Sequence, residues 1–160
     1  MKRSNDGRKT SAKKTRTRSG KASQSSAAAP RLTSFVSRAA VEALHRESLA
    51  EHGGLDGIRD ERLLESALAR CVNRAAYEPD STIAQLAAAL AFGLAKNHPF
   101  NDGNKRIALI ASFLFVELNG FRVIATESDA YDTIYALAAG EIDESRLSEW
   151  FGQNMRRKPR

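Results

Sequence analysis

The sequence contains a single cysteine, Cys71, among its 160 residues. One thiol cannot form an intramolecular disulfide, and without a Cys/His cluster around it a structural zinc site is not expected.

No apolar run approaches the roughly 20 residues needed to span a bilayer. The longest candidate, residues 83–94, is interrupted by Gln85 and Gly93. An apolar secretory signal is also missing from the N-terminus. We therefore expect a cytoplasmic protein that makes no membrane contact.

Acidic residues are nearly absent from the first 30 positions. Nine Lys and Arg residues accompany one acid there, Asp6, so this segment carries +8 while residues 31–160 carry −2. Because Met1 is the only large apolar side chain before Ala27, burial cannot offset the entropy of ordering the segment. We expect residues 1–30 to form a disordered basic tail that acts as a solubilising extension. The alternative is weak electrostatic contact with nucleic acid or an acidic partner.

Helical periodicity begins after Leu32 and predicts an all-α domain of six helices over residues 31–155, followed by a basic C-terminal end at 156–160. The first helix runs from an N-cap at Ser37 to Gly53-Gly54, the second starts at Asp60, the third extends from about Asp80 almost to His98, the fourth covers about Asn104 to Asn119, and the last two cover Ser128–Ala139 and Asp143–Asn154. The third and fourth helices are apolar nearly all round, which is typical of central helices.

These two apolar helices meet at a polar link of nine residues, His98-Pro-Phe-Asn-Asp-Gly-Asn-Lys-Arg106. In a purely structural interpretation, Asn101 or Asp102 caps the fourth helix while Pro99 and Gly103 make the turn. A turn needs only one or two such residues, however. Cations in the first turn of a helix also oppose its dipole, at a cost of up to about 1 kcal/mol.

If an anion binds at the start of the fourth helix, the same cations become stabilising. The backbone N–H groups of Gly103, Asn104 and Lys105 would be the unpaired donors at the start of the fourth helix, pointing at one spot. Gly103 has no side chain to obstruct close approach. The side-chain amide of Asn104 can donate as well, and Lys105 and Arg106 add positive charge. Together these residues predict a phosphate-binding site.

Three further residues of the link suggest what happens at that phosphate. Asp102 is a hard oxygen ligand suited to a magnesium ion that bridges phosphates. His98 can be neutral near pH 7 and take a proton from an attacking hydroxyl group. Phe100 is expected to bury its ring and hold the loop. A base, a metal ligand and an anion site within nine residues predict phosphoryl or nucleotidyl transfer.

The motif resembles the signature of the Fic/Doc superfamily, specifically its death-on-curing (Doc) branch. The resemblance covers about Leu32 to Asn154 and leaves out the basic tail. Flanking segments that are similar to the same branch lie at residues 52–60, 63–68, 118–120 and 138–141. The resemblance implies a helical Fic/Doc fold and the toxin of a type II toxin–antitoxin system. Such a toxin would be held by a cognate antitoxin.

The resemblance also implies roles for the residues of the motif. In Fic enzymes a glycine stands at the position of Lys105, and AMP is transferred from ATP. In Doc-like proteins the lysine accompanies transfer of the terminal phosphate of ATP to a protein, with elongation factor Tu as the family's target and translation arrest as the result. By this analogy the catalytic residues are His98, Asp102 and Lys105, the nucleotide-binding residues are Phe100, Gly103, Asn104, Lys105 and Arg106, and Asp102 holds Mg²⁺.

Two other functions are compatible with the sequence. A Fic-type AMP transferase is the nearer alternative, and Lys105 argues against it. A non-catalytic binding module is the more distant one, and the intact His98, Asp102 and Asn104 argue against that.

Several residues outside the motif are interpreted as structural. We expect His45 at the surface of the first helix because its sequence neighbours are polar, and Arg59 in a solvated loop, although it could reach the nucleotide. His52 is expected to help end the first helix, and Cys71 to be a small buried side chain. Helical spacing from Leu147 places Trp150 and Phe151 in the core.

Overall fold

The computed structural model describes residues 32–160, so the predicted tail at residues 1–30 lies outside the described residues. The described part is mostly helical, and the predicted all-α class with six helices is confirmed. The helices are α1 (Arg38–His52), α2 (Glu61–Tyr77), α3 (Ile83–Asn97), α4 (Asn104–Leu118), α5 (Glu127–Ala139) and α6 (Glu144–Asn154). Two short strands complete the set, β1 (Phe121–Val123) and β2 (Met155–Arg157).

Five of the six helices begin at a side-chain cap. The predicted caps at Ser37 and Asp60 are confirmed, since the Ser37 hydroxyl accepts from the Ala40 amide and the Asp60 carboxylate accepts from the amides of Arg62 and Leu63. The other three caps are Thr82, Thr126 and Asp143. Helix α4 differs: it begins at Gly103 with no capping side chain. A capping side chain contributes about 1 kcal/mol, so its absence at one helix calls for a reason.

Helix α3 lies at the centre of the described unit, with nine buried residues between Leu86 and Ala95. It packs against α2, α4 and α6. At Gly93 the backbones of α2 and α3 come so close that an added Cβ would lie 2.8 Å from the Ala67 carbonyl oxygen. Cys71 on α2 is buried, as predicted, and burial raises the pKa of its thiol to about 12. The central helices therefore form a rigid base for the link between α3 and α4.

The side chains at the end of α6 divide between core and surface. Phe151 is buried, as predicted, whereas Trp150 is only half-buried and its indole N–H donates to Asp129 Oδ2 over 2.8 Å.

Neither strand was expected from the sequence. β1 and β2 pair antiparallel, with Phe121 opposite Arg157, Arg122 opposite Arg156, and Val123 opposite Met155. Three-residue strands are too short to show an alternating pattern in the sequence. As a result β2 crosses the predicted boundary between the domain and its basic C-terminal end. None of the helices in the described part of the chain combines the length and apolarity that crossing a bilayer requires.

Candidate active site

The link between α3 and α4 starts in a strained conformation. His98 follows the last residue of α3 with φ 48° and ψ 56°, and no other non-glycine residue of the described chain has a positive φ. L-residues enter this left-handed region at an energetic cost, so the surrounding structure must hold His98 there. Its side chain is exposed and borders a cavity.

Arg59 holds the backbone at this point. Its Nε donates to the carbonyl oxygen of His98 over 2.8 Å and its Nη2 to that of Asn97 over 2.9 Å. Arg59 is exposed in a loop, as expected, but the sequence does not predict that it bonds to these two carbonyl groups. Because carbonyl groups at a helix C-terminus lack helical partners, a guanidinium group there satisfies them and complements the dipole.

The segment between α1 and α2 runs beside the link and bonds to its backbone. Ile58 and Phe100 form an antiparallel β-bridge. The Asn101 amide donates to the Gly57 carbonyl over 3.0 Å, and the Asn101 side chain donates to the Asp56 carbonyl over 2.9 Å. Gly57 has φ 111°, and a Cβ there would lie 2.7 Å from the Asn101 side chain. Only glycine therefore allows this close approach without strain.

A reciprocal pair of hydrogen bonds closes the link on itself. The Phe100 amide donates to Asn104 Oδ1 over 2.9 Å, and Asn104 Nδ2 donates to the Phe100 carbonyl over 3.0 Å. The sequence assigns the Asn104 side chain to a phosphate, but here it joins the two ends of the turn. One of its two amide hydrogens is left for another acceptor.

An imidazole supports the link from beneath. His45 is 2% exposed, and its ring stacks on Phe100 with centroids 3.9 Å apart and planes 15° from parallel. Its Nε2 lies 2.7 Å from the Asp102 carbonyl oxygen. A carbonyl only accepts, so Nε2 carries the hydrogen. The expected surface position of His45 is therefore wrong. The signal was present in the helical spacing, since Val41, His45 and Ser48 share the buried face of α1.

Phe100 itself is 2% exposed, in agreement with the expectation that its ring is buried. Its ring is therefore closed to a bound nucleotide, and any effect of Phe100 on binding has to pass through the loop that it anchors.

The carboxylate of Asp102 is exposed at the rim of the same cavity. Its Oδ1 accepts from the Gly103 amide over 2.7 Å, and its Oδ2 accepts from the Leu55 amide over 3.3 Å. These two donors favour the charged form and hold the pKa of Asp102 below its ordinary value. Neither Asp102 nor Asn101 caps α4, so the cap that a purely structural interpretation assigns to one of them is absent.

A cavity of about 310 Å³ lies over the start of α4, within the size range of small-molecule sites. Its lining combines most of the link with two residues of α5: His98, Asn101, Asp102, Gly103, Asn104, Lys105, Arg106, Tyr131 and Tyr135. Tyr131 is half-buried at this wall. Tyr135 is not predicted at all. It lies 29 residues or more from the link, and only the packing of α5 against α4 reveals it.

Positive charge and N–H donors meet in this cavity. The backbone N–H groups of Asn104, Lys105 and Arg106 find no acceptor within residues 32–160. The Lys105 ammonium lies 4.5 Å from the centroid of the Tyr135 ring, a cation–π contact. Arg106 reaches the Ser48 hydroxyl over 3.5 Å. An anionic group in the cavity would meet three free amides, the positive end of the α4 dipole and two cations.

Comparison with known proteins gives three matches. Residues 35–116 match the model of the Fic/DOC family. Over 107 residues the chain is 36% identical to a protein named Protein kinase doc, from Escherichia phage P1, in an alignment that covers 67% of this chain and 84% of that relative. Over 75 residues it is 40% identical to a protein named Toxin Doc, from Mycolicibacterium smegmatis, covering 46% of this chain and 57% of that relative.

Proposed function

Since this chain belongs to the Fic/DOC family, we propose that it is a Doc-type toxin that transfers the terminal phosphate of ATP to a hydroxyl group of a protein. The names of its relatives support both parts of the proposal, because one is called a protein kinase and the other a toxin. The family resemblance further suggests elongation factor Tu as the target, translation arrest as the result, and a cognate antitoxin as the partner.

The observation that carries the proposal is the uncapped start of α4. Five helices of the described chain satisfy their first amides with a side chain, and α4 leaves its own open toward a cavity that also holds Lys105 and Arg106. An isolated protein gains nothing from this arrangement. A phosphate group would satisfy the open amides of Asn104, Lys105 and Arg106 and pair with both cations. Gly103 permits close approach of the phosphate to the backbone.

The proposed reaction needs a base for the attacking hydroxyl group. His98 is exposed at the cavity and has no hydrogen-bond partner for its ring among the described residues. In the proposed step its ring nitrogen takes the proton as the hydroxyl oxygen bonds to the terminal phosphorus. The bond from that phosphorus to the bridging oxygen breaks, and ADP leaves with the bonding electron pair. Arg59 holds the His98 carbonyl and so restrains the position of the base.

Asp102 suits the metal that normally accompanies ATP. Mg²⁺ is commonly bound by one or two carboxylates, with water and phosphate oxygens completing the shell. No cluster of three or more metal-binding side chains occurs in the part of the chain that the structure describes, so Asp102 would act as a single carboxylate ligand. Its lowered pKa keeps it charged, and each of its oxygens retains a free lone pair. The metal would neutralise phosphate charge there.

Lys105 is the proposed reason for phosphate transfer over AMP transfer. Its side chain extends across the cavity to Tyr135 and occupies space that a glycine would leave open. Nucleotide bound beside Lys105 would therefore lie differently, with another phosphorus facing the hydroxyl group. The competing function is AMP transfer of the Fic type. If neither phosphate nor AMP is transferred, the chain is a non-catalytic binding module.

The test is incubation with a cell extract and ATP labelled at the terminal or at the alpha phosphate. Transfer of the terminal label alone supports the proposal, transfer of the alpha label supports AMP transfer, and the labelled band identifies the target. His98→Ala should abolish transfer and growth inhibition. His52→Ala is the matched control, because His52 is an exposed histidine at the end of α1, outside the cavity. Unchanged toxicity of His98→Ala would rule out the base assignment.

Two substitutions of Lys105 test whether this residue determines which group of ATP is transferred. Lys105→Gly should reduce transfer of the terminal phosphate and admit AMP transfer, but glycine also weakens the first turn of α4 by about 1 kcal/mol. Lys105→Ala removes the charge and keeps helix propensity, so it controls for that loss. If both variants kept full transfer of the terminal phosphate, Lys105 would not be the discriminator.

A further inference from the structure

The ribbon of β1 and β2 presents an unusual outer face. Phe121, Val123 and Met155 are half-buried and pack toward the core. Successive residues of a strand point to opposite faces, so Arg122 and Arg156 point outward, and both are exposed. They stand directly opposite each other in the pairing register. Arg157 stands opposite Phe121 on the other face, with its guanidinium 5.4 Å from the centroid of the Phe121 ring. We use the name basic ribbon for Arg122, Arg156 and Lys158.

The charges of the basic ribbon are almost uncompensated. Like charges directly opposite on an antiparallel pair destabilise it. Among the described residues, Arg122 and Arg156 belong to no ion pair. Arg156 donates instead to the backbone carbonyls of Gln153 and Met155, which leaves its charge in place. Lys158 alone reaches an acid, Glu117, over 3.7 Å, and both side chains are well exposed.

The basic ribbon is separate from the candidate active site. The cavity lies at the N-terminal end of α4, and β1 follows the C-terminal end. At 1.5 Å per residue the 15 residues of α4 separate the two by about 22 Å. Neither strand contributes a residue to the cavity lining. The positive charge of the ribbon therefore belongs to a different surface from that of Lys105 and Arg106.

Ser34, near the start of the described residues, also lies at the C-terminal end of α4, where the basic ribbon begins. The Ser34 amide donates to Asn119 Oδ1 and the Ser34 carbonyl accepts from Asn119 Nδ2, each over 2.9 Å. The next residue, Gly120, accepts from the Lys158 amide over 2.9 Å. In the sequence, nine Lys and Arg residues and one acid precede Ser34 within the first 30 positions. The net positive charge of the chain is thus concentrated in the two segments that flank its acidic domain.

We propose that the basic ribbon is a docking surface for the phosphodiester backbone of a nucleic acid. Paired guanidinium groups match phosphate oxygens through forked hydrogen bonds, and binding would relieve their mutual repulsion. The outer face carries no aromatic ring for base stacking, so binding would be independent of sequence. An acidic protein fits less well, because the buried core of a protein interface is comparatively apolar, and within residues 121–124 and 155–158 the only exposed large apolar side chain is that of Ile124, at 47%.

The test compares binding of the full chain to a labelled single-stranded RNA and a DNA duplex, each of about 20 nucleotides or base pairs, over about 50 to 200 mM salt by fluorescence anisotropy. The double variant Arg122→Gln/Arg156→Gln should bind on the order of tenfold more weakly at about 100 mM salt. Its log–log salt slope should be less steep by about 1.4 for RNA or about 1.8 for DNA. The nucleic acid with the stronger binding identifies the source of the backbone.

The matched control is Arg46→Gln/Arg62→Gln, which removes the same charge from exposed positions on α1 and α2. It should leave the salt slope unchanged. Equal loss in both double variants would mean that net charge alone drives binding, and an unchanged slope in the ribbon variant would mean that only other segments bind. Either result, or no binding by the wild type at about 100 mM salt, overturns the proposal. Thermal unfolding checks the fold, and removing the repulsion should not lower the melting temperature of the ribbon variant.

Discussion

Replacing the buried imidazole of His45 tests whether α1 supports the link between α3 and α4. One face of the ring stacks on Phe100, and Nε2 donates to the Asp102 carbonyl, so a single side chain joins α1 to two residues of the link. Two substitutions separate these contacts. His45→Phe keeps an aromatic ring against Phe100 and removes the donor, whereas His45→Ala removes both and leaves a cavity.

The expected magnitudes follow from these contacts. A hydrogen bond of this kind contributes about 0.5–1.5 kcal/mol net. The bond is part-buried, so the freed Asp102 carbonyl beside an apolar ring is only partly hydrated, and we expect His45→Phe to cost about 1–2 kcal/mol. His45→Ala also loses an aromatic pair, worth about 0.5–1.5 kcal/mol, and leaves unfilled space in the core. We expect a total loss of about 3 kcal/mol in the free energy of unfolding.

Urea unfolding of the two variants measures these losses, and a double-mutant cycle with Phe100→Leu isolates the stacking contribution. We expect a coupling energy between His45 and Phe100 above about 0.5 kcal/mol, the lower limit for residues in direct contact. His45→Phe should stay folded and yet lose much of the proposed phosphate transfer, because the Asp102 backbone is no longer held. Equal destabilisation by the two substitutions, or a coupling energy near zero, would refute the stacking account.

Two further predictions concern the Asp102 carboxylate. Gly54 has φ 129°, and a Cβ there would lie 2.8 Å from Asp102 Oδ2, so Gly54→Ala should cost about 1–3 kcal/mol of backbone strain and also lower the proposed phosphate transfer. Gly53→Ala is its control, since Gly53 has φ 77° with nothing near its Cβ position; equal activity of the two variants would contradict the prediction. The N–H groups of Gly103 and then Leu55 lower the pKa of Asp102, so its contribution to stability is present above the unfolded-state pKa and lost as pH falls through the folded-state pKa. A carboxyl ¹³C titration should give a midpoint below the ordinary aspartate value, and a midpoint at or above that value would contradict the hydrogen bonds.

The helices were predictable because their signals are local. Ser37 and Asp60 cap amides only two or three residues away, and the apolar spacing of α3 repeats within each turn. The polar link is evident in the sequence for the same reason, since its composition differs from that of the helices on either side. A reader of the sequence alone therefore obtains the all-α class and the position of the link.

The contacts that hold the link were not predictable, because their partners are distant in the sequence. His45 bonds to a residue 57 positions away, and Arg59 to residues 38 and 39 positions away. Neither partner changes the local pattern around these residues. Tyr135 reaches the cavity only because α5 packs against α4. The pairing of β1 with β2 likewise joins segments that are more than 30 residues apart.

The polar composition of the link now divides into two parts with different physical reasons. Asn101 and Asn104 bond to backbone carbonyls and amides, and they maintain a turn that includes a left-handed histidine. Lys105 and Arg106 take no part in that turn, and they face a cavity into which α4 also directs its open amides. A turn alone would require only the first part. The second part adds positive charge at the positive end of a helix dipole, which lowers the stability of the unliganded protein. Neither the cation–π contact of Lys105 with Tyr135 nor the contact of Arg106 with the Ser48 hydroxyl neutralises this charge, whereas the proposed anionic ligand would.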